Sequence, residues 1–202
     1  MRWATTIVAL ATLAADASPA LADEYEWQIG VAPGATIAWR DGHADLGISA
    51  RTIAQYGLLD SLALEVSGSC DYVPGVSSKQ SDSEYLTSPI FHDMQRCTLV
   101  PALVGRFGRR WVISISGGLG YRYERHTNRE GFSRSGEFVP VEPVETRHLM
   151  IIESGIGMEL RVREVFGVGG ILRAAVPINS SSREANVDLV FAVLLSFFGY
   201  GG

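Results

Sequence analysis

The residues best suited to chemistry are a histidine and the hydroxyl and carboxylate groups that follow it. Ser133, Ser135 and Glu137 come shortly after His126, and a histidine beside a hydroxyl and a carboxylate can activate a nucleophile for acyl transfer. The segment also has the composition of a solvated loop, in which His and Ser are ordinary surface residues. We therefore assign no catalytic residue, and a hydrolase or acyltransferase stays open as an alternative.

The histidines of the chain, His126 among them, do not predict a metal site. The chain has four of them, and three aspartates lie nearby, but no two of these residues have a ligand spacing with a mechanism behind it. The residues concerned are His43, His92, His126, His148, Asp41, Asp45 and Asp93. We predict neither a metal nor another cofactor.

The charged residues narrow the class of partner. The net charge is −5, and 17 residues are Lys or Arg, of which only Lys79 is lysine. A nucleic-acid-binding protein needs a basic footprint that this chain does not supply, so we expect no nucleic acid as partner. A water-facing surface usually carries many lysines, and their near-absence needs another explanation.

The first 22 residues have the pattern of a secretory signal peptide. Arg2 is followed by an apolar run over 4–15, and Ala20-Leu21-Ala22 matches a small-x-small cleavage site before Asp23. A run of a dozen residues is too short to span about 30 Å of hydrocarbon as a helix. We predict cleavage between Ala22 and Asp23 and one exported domain over 23–202. In an exported protein, Cys70 and Cys97 are expected to form a disulfide.

Eight segments of the mature chain alternate apolar and small or polar residues with a period of two, the pattern of β-strands. These segments are 26–40, 45–56, 61–71, 95–107, 111–124, 147–162, 165–178 and 187–200. Short links join the strands at one end, and two long polar links, 72–94 and 125–146, lie at the other. Tight turns at one end and long loops at the other are typical of an outer-membrane barrel.

The composition of the polar rows indicates that they face inward. They contain Ser, Gly, Ala and Thr with isolated charges and no lysine, which suits the narrow interior of an eight-stranded barrel. Buried charges require partners, so we predict an interior polar network. Its predicted members are Arg51, Glu65, Arg122, Glu153, Glu159, Arg161, Arg173 and Asp188. A soluble lipocalin-like carrier, with the apolar rows inside, is an alternative.

Aromatic residues gather near both ends of the predicted strands, as they do where a barrel meets lipid headgroups. The predicted belts contain Trp27, Trp39, Tyr56, Phe107, Trp111, Tyr121, Tyr123, Phe166, Phe197 and Tyr200. From Trp27 to Trp39 a strand extends about 40 Å at ~3.3 Å per residue. With a tilt of roughly 40° this gives about 30 Å of height, close to that of the apolar band.

These features together resemble the small OmpA/OmpX-type outer-membrane barrels. The resemblance implies an all-β, eight-stranded, antiparallel up-and-down transmembrane β-barrel in a bacterial outer membrane. It also implies contact with outer-membrane lipid and with the assembly machinery, and we expect a monomer. The expected role is structural or interactive: adhesion, contact with lipopolysaccharide or envelope integrity. In the related lipid A deacylases, as a family, His and Ser lie two apart, whereas Arg125-His126-Thr127-Asn128 lacks the Ser.

Four arginines near the long-loop end predict a basic patch beside the outer leaflet, where lipid phosphates lie. They are Arg125, Arg129, Arg134 and Arg147. We regard lipopolysaccharide contact as the hypothesis to test on them.

Overall fold

The computed structural model describes residues 26–40, 43–78, 86–133, 138–140, 145–163, 165–178 and 187–200. The predicted signal peptide, with its cleavage site between Ala22 and Asp23, lies outside these residues, as do Arg134, Ser135 and Glu137.

Nine strands are present in the described part of the chain, and eight of them build the wall. They are β1 (Glu26–Arg40), β2 (His43–Leu59), β3 (Leu62–Ser78), β4 (Leu86–Phe107), β5 (Trp111–Ser133), β6 (Phe138–Pro140), β7 (Glu145–Arg163), β8 (Phe166–Pro177) and β9 (Val187–Tyr200). Each wall strand pairs antiparallel with its neighbours, and pairing of β1 with β9 closes the barrel. The short β6 pairs only with the outer end of β5. The predicted fold is confirmed. Among the described residues there is no helix both long and apolar enough to cross a bilayer.

The strands extend further at the outer end than the sequence predicts. Residues 72–94 and 125–146 were expected to be loops, yet β3 continues to Ser78 and β4 begins at Leu86, while β5 continues to Ser133. Backbone N–H and C=O groups need partners, and continued pairing supplies them above the barrel rim. Polar composition alone therefore misplaced these strand ends.

A bulge in β3 marks the start of this outer extension. Its register against β4 shifts between Val73 and Val76, and Gly75 has a φ of 63°, a left-handed conformation that suits glycine. Asp93 on β4 holds the bulge: its Oδ1 accepts from the Gly75 N–H at 3.1 Å and its Oδ2 from the Tyr72 hydroxyl at 2.9 Å.

The two faces of the wall differ as the alternation predicts. Outward side chains such as Ile29, Leu103 and Phe191 are exposed, whereas Arg51, Glu153 and Asp188 on the inward rows are buried. A lipocalin-like carrier requires the reverse arrangement, with apolar rows around a cavity. That alternative is wrong for this chain.

Candidate functional site

The interior charges form three layers, the first of them at the short-turn end. At this base, the Glu26 carboxylate accepts from Arg106 at 3.0 Å and from Arg161 at 2.7 Å. The Arg161 guanidinium also stacks over the Phe198 ring, 4.3 Å from its centroid. Two cations thus share one carboxylate at the base of the barrel.

Glu159 lies in the same region and supplies a second negative charge. It accepts from the Gln28 amide at 3.0 Å and from the Ser196 hydroxyl. With Glu26, Arg106 and Arg161 it gives the base layer two charges of each sign.

The middle layer joins opposite walls of the barrel. Arg51 on β2 donates twice to Glu153 on β7, with both N–O distances at 2.6 Å. Arg173 on β8 pairs with Glu65 on β3 at 3.0 Å and lies 3.9 Å from Glu153. This layer is also balanced, with two arginines and two glutamates.

The outer layer is centred on Asp188 of β9. Its carboxylate pairs with both Arg96 and Arg122, and Arg96 pairs further with Asp71 at 3.1 Å. Arg122 lies 3.7 Å from Glu124, which also faces the His126 Nε2 at 3.8 Å. Three carboxylates here face two arginines and one histidine.

All eight residues of the predicted network therefore point to the interior, and each has an interior partner. The prediction omitted five further charged members: Glu26, Asp71, Arg96, Arg106 and Glu124. The period-two alternation places all five on the inward rows, so the same pattern contains the signal that would have found them.

Apolar side chains and a small cavity lie between the base and middle layers. A cluster containing Ile53, Ile171 and Leu194 packs inside the wall. A cavity of about 20 Å³, lined in part by Gln55 and Arg173, lies below it. That volume holds roughly one water molecule.

Most of the described aromatic belt residues lie near the ends of the wall strands. At the short-turn end, Trp27 is directly opposite Tyr56, and the rings of Phe166 and Phe197 are 5.5 Å apart. Phe107 and Trp111 flank the β4–β5 turn. Trp39 lies near the outer end of β1, whereas Tyr121 and Tyr123 lie midway along β5, because β5 continues outward to Ser133. The side chain of Tyr200 is outside the described part of the structure.

The predicted rim arginines do not share one environment. Arg125 is exposed on the outward row of β5, two residues beyond Tyr123. Arg147 donates from Nε to Glu145 at 2.6 Å, and this hydrogen bond raises the pKa of Arg147 above its ordinary value. The side chains of Arg129 and Arg134 lie outside what the structure describes.

The histidines with described side chains, His126 and His148, lie on opposite faces of the wall. His126 is buried in the interior beside Glu124, away from the lipid-facing wall. His148 faces outward, where its Nδ1 is hydrogen-bonded to the Tyr121 hydroxyl and its ring lies 5.5 Å from that of Tyr123. Within the described residues, no three His, Cys, Asp or Glu side chains are grouped to hold a metal ion.

The predicted disulfide between Cys70 and Cys97 is confirmed. The two residues are directly opposite on β3 and β4, with their Cα atoms 4.2 Å apart, and both face outward. They lie within the paired strands, because pairing continues beyond them to Ser78 and Leu86.

The closed wall, with an apolar outside and a charged inside, decides the architecture. The fold is that of the small bacterial outer-membrane barrels. No family model matches the sequence, and no curated protein does. Solved structures match strongly in fold and weakly in sequence.

Three solved outer-membrane barrels illustrate this similarity. Neisserial surface protein A has a TM-score of 0.60 at 9% identity, covering 85% of this chain and 96% of its own. Ail, the attachment invasion locus protein of Yersinia pestis, has a TM-score of 0.54 at 13% identity, and the match covers 88% of this chain and 100% of Ail. OprG from Pseudomonas aeruginosa has a TM-score of 0.53 at 10% identity, and the match covers 86% of this chain and 96% of OprG. At these identities the likeness establishes the barrel and not a shared role.

Proposed function

We propose that this outer-membrane barrel acts through its outer wall and rim, and that the rim binds phosphate groups of lipopolysaccharide through Arg125. The observation that carries the proposal is the position of this arginine. It is exposed on the lipid-facing row of β5, immediately beyond Tyr121 and Tyr123 of the outer aromatic belt. Phosphates of the outer leaflet lie at that height in a membrane.

The side chains around Arg125 support a role in anion binding. Its directly opposite residues are Gln95 on β4 and Thr146 on β7, both exposed and polar. A guanidinium presents five donors in a planar fork that matches phosphate oxygens, and an amide and a hydroxyl beside it add further hydrogen bonds. Arg147, by contrast, is already paired with Glu145.

The filled interior supports an outward-directed role in place of conduction. Arg51, Arg96 and Arg173 cross the lumen to Glu153, Asp188 and Glu65 and are buried. Eight-stranded barrels have room for side chains, whereas water-filled channels need about sixteen strands. A lipid-modifying enzyme is not favoured, because His126 lies inside the barrel.

Binding of purified lipopolysaccharide to the refolded barrel in detergent micelles tests the proposal. Arg125→Gln is expected to weaken binding roughly fivefold, since an arginine near an anionic membrane surface contributes about 1 kcal/mol. Arg109→Gln is the matched control, because Arg109 is exposed in the β4–β5 turn at the opposite end. Equal affinity of the two variants, with the same salt dependence, would contradict the proposal.

A further inference from the structure

A shallow trough crosses the lipid-facing wall from β1 to β5, with a volume of about 770 Å³. Large apolar side chains cover most of this wall, but the floor of the trough is built from small ones. The floor residues are Pro33, Ala50, Thr52, Gly68, Cys70 and Cys97. Val31, Leu99 and Tyr121 stand along its sides.

The strand register gives the trough a direction through the membrane. Pro33, Ala50, Cys70, Cys97 and Tyr123 are directly opposite one another on successive strands. Pro33 is midway along β1 between the belt residues at its ends, whereas Tyr123 is in the outer belt. The trough therefore rises from the middle of the membrane to its outer surface. Four strand spacings of ~4.8 Å give it a length of about 19 Å along the wall. With a strand tilt of about 40° this is a rise of about 12 Å, most of the outer half of a ~30 Å hydrocarbon core.

The side chains of the floor are apolar or already bonded to one another. The Thr52 hydroxyl donates to the Gly68 carbonyl at 3.4 Å. Both sulfurs are in the disulfide, and Pro33 has no N–H. Such a surface accepts a hydrocarbon chain without leaving a hydrogen bond unmade.

The outer end of the trough is polar. A second concavity of about 410 Å³ continues it, sharing Cys70 and Cys97 and reaching Tyr72 and Gln95. Gln95 is directly opposite Arg125. An apolar trough that ends at an amide and a cation is complementary to a lipid with an acyl chain below an anionic headgroup.

We propose that the trough seats one acyl chain of a lipopolysaccharide molecule whose phosphate is bound at Arg125. This inference rests on the proposed function and extends it to the chain. Lipid tails are as apolar as the wall, so the hydrophobic effect does not select the occupant. Selection comes from shape, because a chain that fills the concavity gains dispersion contacts that a flat wall does not offer.

Gly68→Leu fills the trough without disturbing the wall. A Cβ at this position is 3.5 Å from Thr52 Oγ1, an ordinary contact. Gly117→Leu is the matched control: Gly117 is an outward glycine of β5 outside the trough, where a Cβ has nothing within 4 Å. Faster gel migration of unboiled samples verifies that both variants form the barrel.

The measurement compares binding of intact lipopolysaccharide with that of its fully deacylated, still phosphorylated form, by native mass spectrometry from detergent. Gly68→Leu is expected to bind intact lipopolysaccharide roughly fivefold more weakly than Gly117→Leu, a change of about 1 kcal/mol. It should bind the deacylated form equally well. Arg125→Gln should weaken both.

Each other outcome has a defined meaning. If both leucine variants bind intact lipopolysaccharide equally, the trough does not bind an acyl chain and the proposal is wrong. An equal loss for phosphatidylglycerol also overturns it, since the trough then accepts any acyl chain. A Gly68→Leu effect on oligomeric state alone assigns the trough to a second copy of the barrel. If Arg125→Gln changes nothing while Gly68→Leu still weakens binding, phosphate binding at Arg125 is contradicted and acyl-chain binding in the trough is supported.

Discussion

Neighbouring residues on the same strand of this barrel lie in opposite environments. Arg51 points into the lumen and is held by two hydrogen bonds to Glu153, whereas Thr52 beside it faces lipid and needs only the Gly68 carbonyl. Inward charges such as Arg51 depend on a specific residue of a distant strand. The outward face depends on being apolar and on little else.

The inner face therefore requires specific partners for its charges, whereas the outer face requires only an apolar surface. On the inside, a charge without its partner is costly, because burial removes its hydration. On the outside, shape is free to vary, so the trough of small residues is a feature that the fold itself does not require. We expect substitutions on the inner face to change the free energy of unfolding more than those on the outer face. We also expect removal of both partners of an inner pair to restore most of the stability that is lost when one is removed.

The largest effect is expected in the middle layer. Glu153→Leu leaves Arg51 buried without its double partner and should lower the free energy of unfolding by about 3–5 kcal/mol. The measurement is urea unfolding of the barrel in micelles, followed by gel migration. The double variant Arg51→Leu/Glu153→Leu should recover most of the loss, because Arg173 still has Glu65. A double variant no more stable than the single one would show that the pair itself, and not the orphaned charge, carries the stability.

A smaller effect is expected from a charge on the outer wall, and its size should depend on depth. Leu103 and Phe107 are 54% and 53% exposed, so burial does not distinguish them. Leu103 is opposite Gly117, midway between Trp111 and Tyr123, whereas Phe107 is at the inner belt. In vesicles, Leu103→Arg should cost about 2–4 kcal/mol and Phe107→Arg about 0–1 kcal/mol. Equal costs would mean that this wall does not face a bilayer in the assumed orientation.

The smallest effect is expected for the ion pair at the rim. Arg147 and Glu145 are 2.6 Å apart, as are Arg51 and Glu153, but their side chains are 46% and 40% exposed. Arg147→Ala should change the free energy of unfolding by about 0.2–1 kcal/mol, because water screens the pair and solvates the partner left behind. A loss comparable with that of Glu153→Leu, in the same urea assay, would refute burial as the cause of the difference.

Much of the wall was predictable because alternation is a local property. The period of two in Trp111–Glu124 assigns each residue to a face, whatever the other strands do. The cysteine pair was predictable for a different reason, since two cysteines in an exported chain, Cys70 and Cys97, are expected to form a disulfide. The outer strand ends were not, because 72–78 pairs with 90–95 and 86–94 pairs with 126–133 despite a polar composition typical of loops.

The interior partners could not be assigned from the sequence. Arg51 and Glu153 belong to β2 and β7, and their contact exists only because the wall closes and brings those strands opposite each other. The pairing of Glu26 with Arg106 has the same origin: alternation assigns both to inward rows, but only the closed base places them together.

The amino-acid order by itself thus determined the strand class and the inward and outward rows, because these follow from spacing along one chain segment. It also determined the disulfide, because an exported chain with two cysteines is expected to join them. The tertiary structure decided which charges meet and where the trough runs. Both depend on the register between strands and on closure, and a shift of one residue in register would send each side chain to another neighbour.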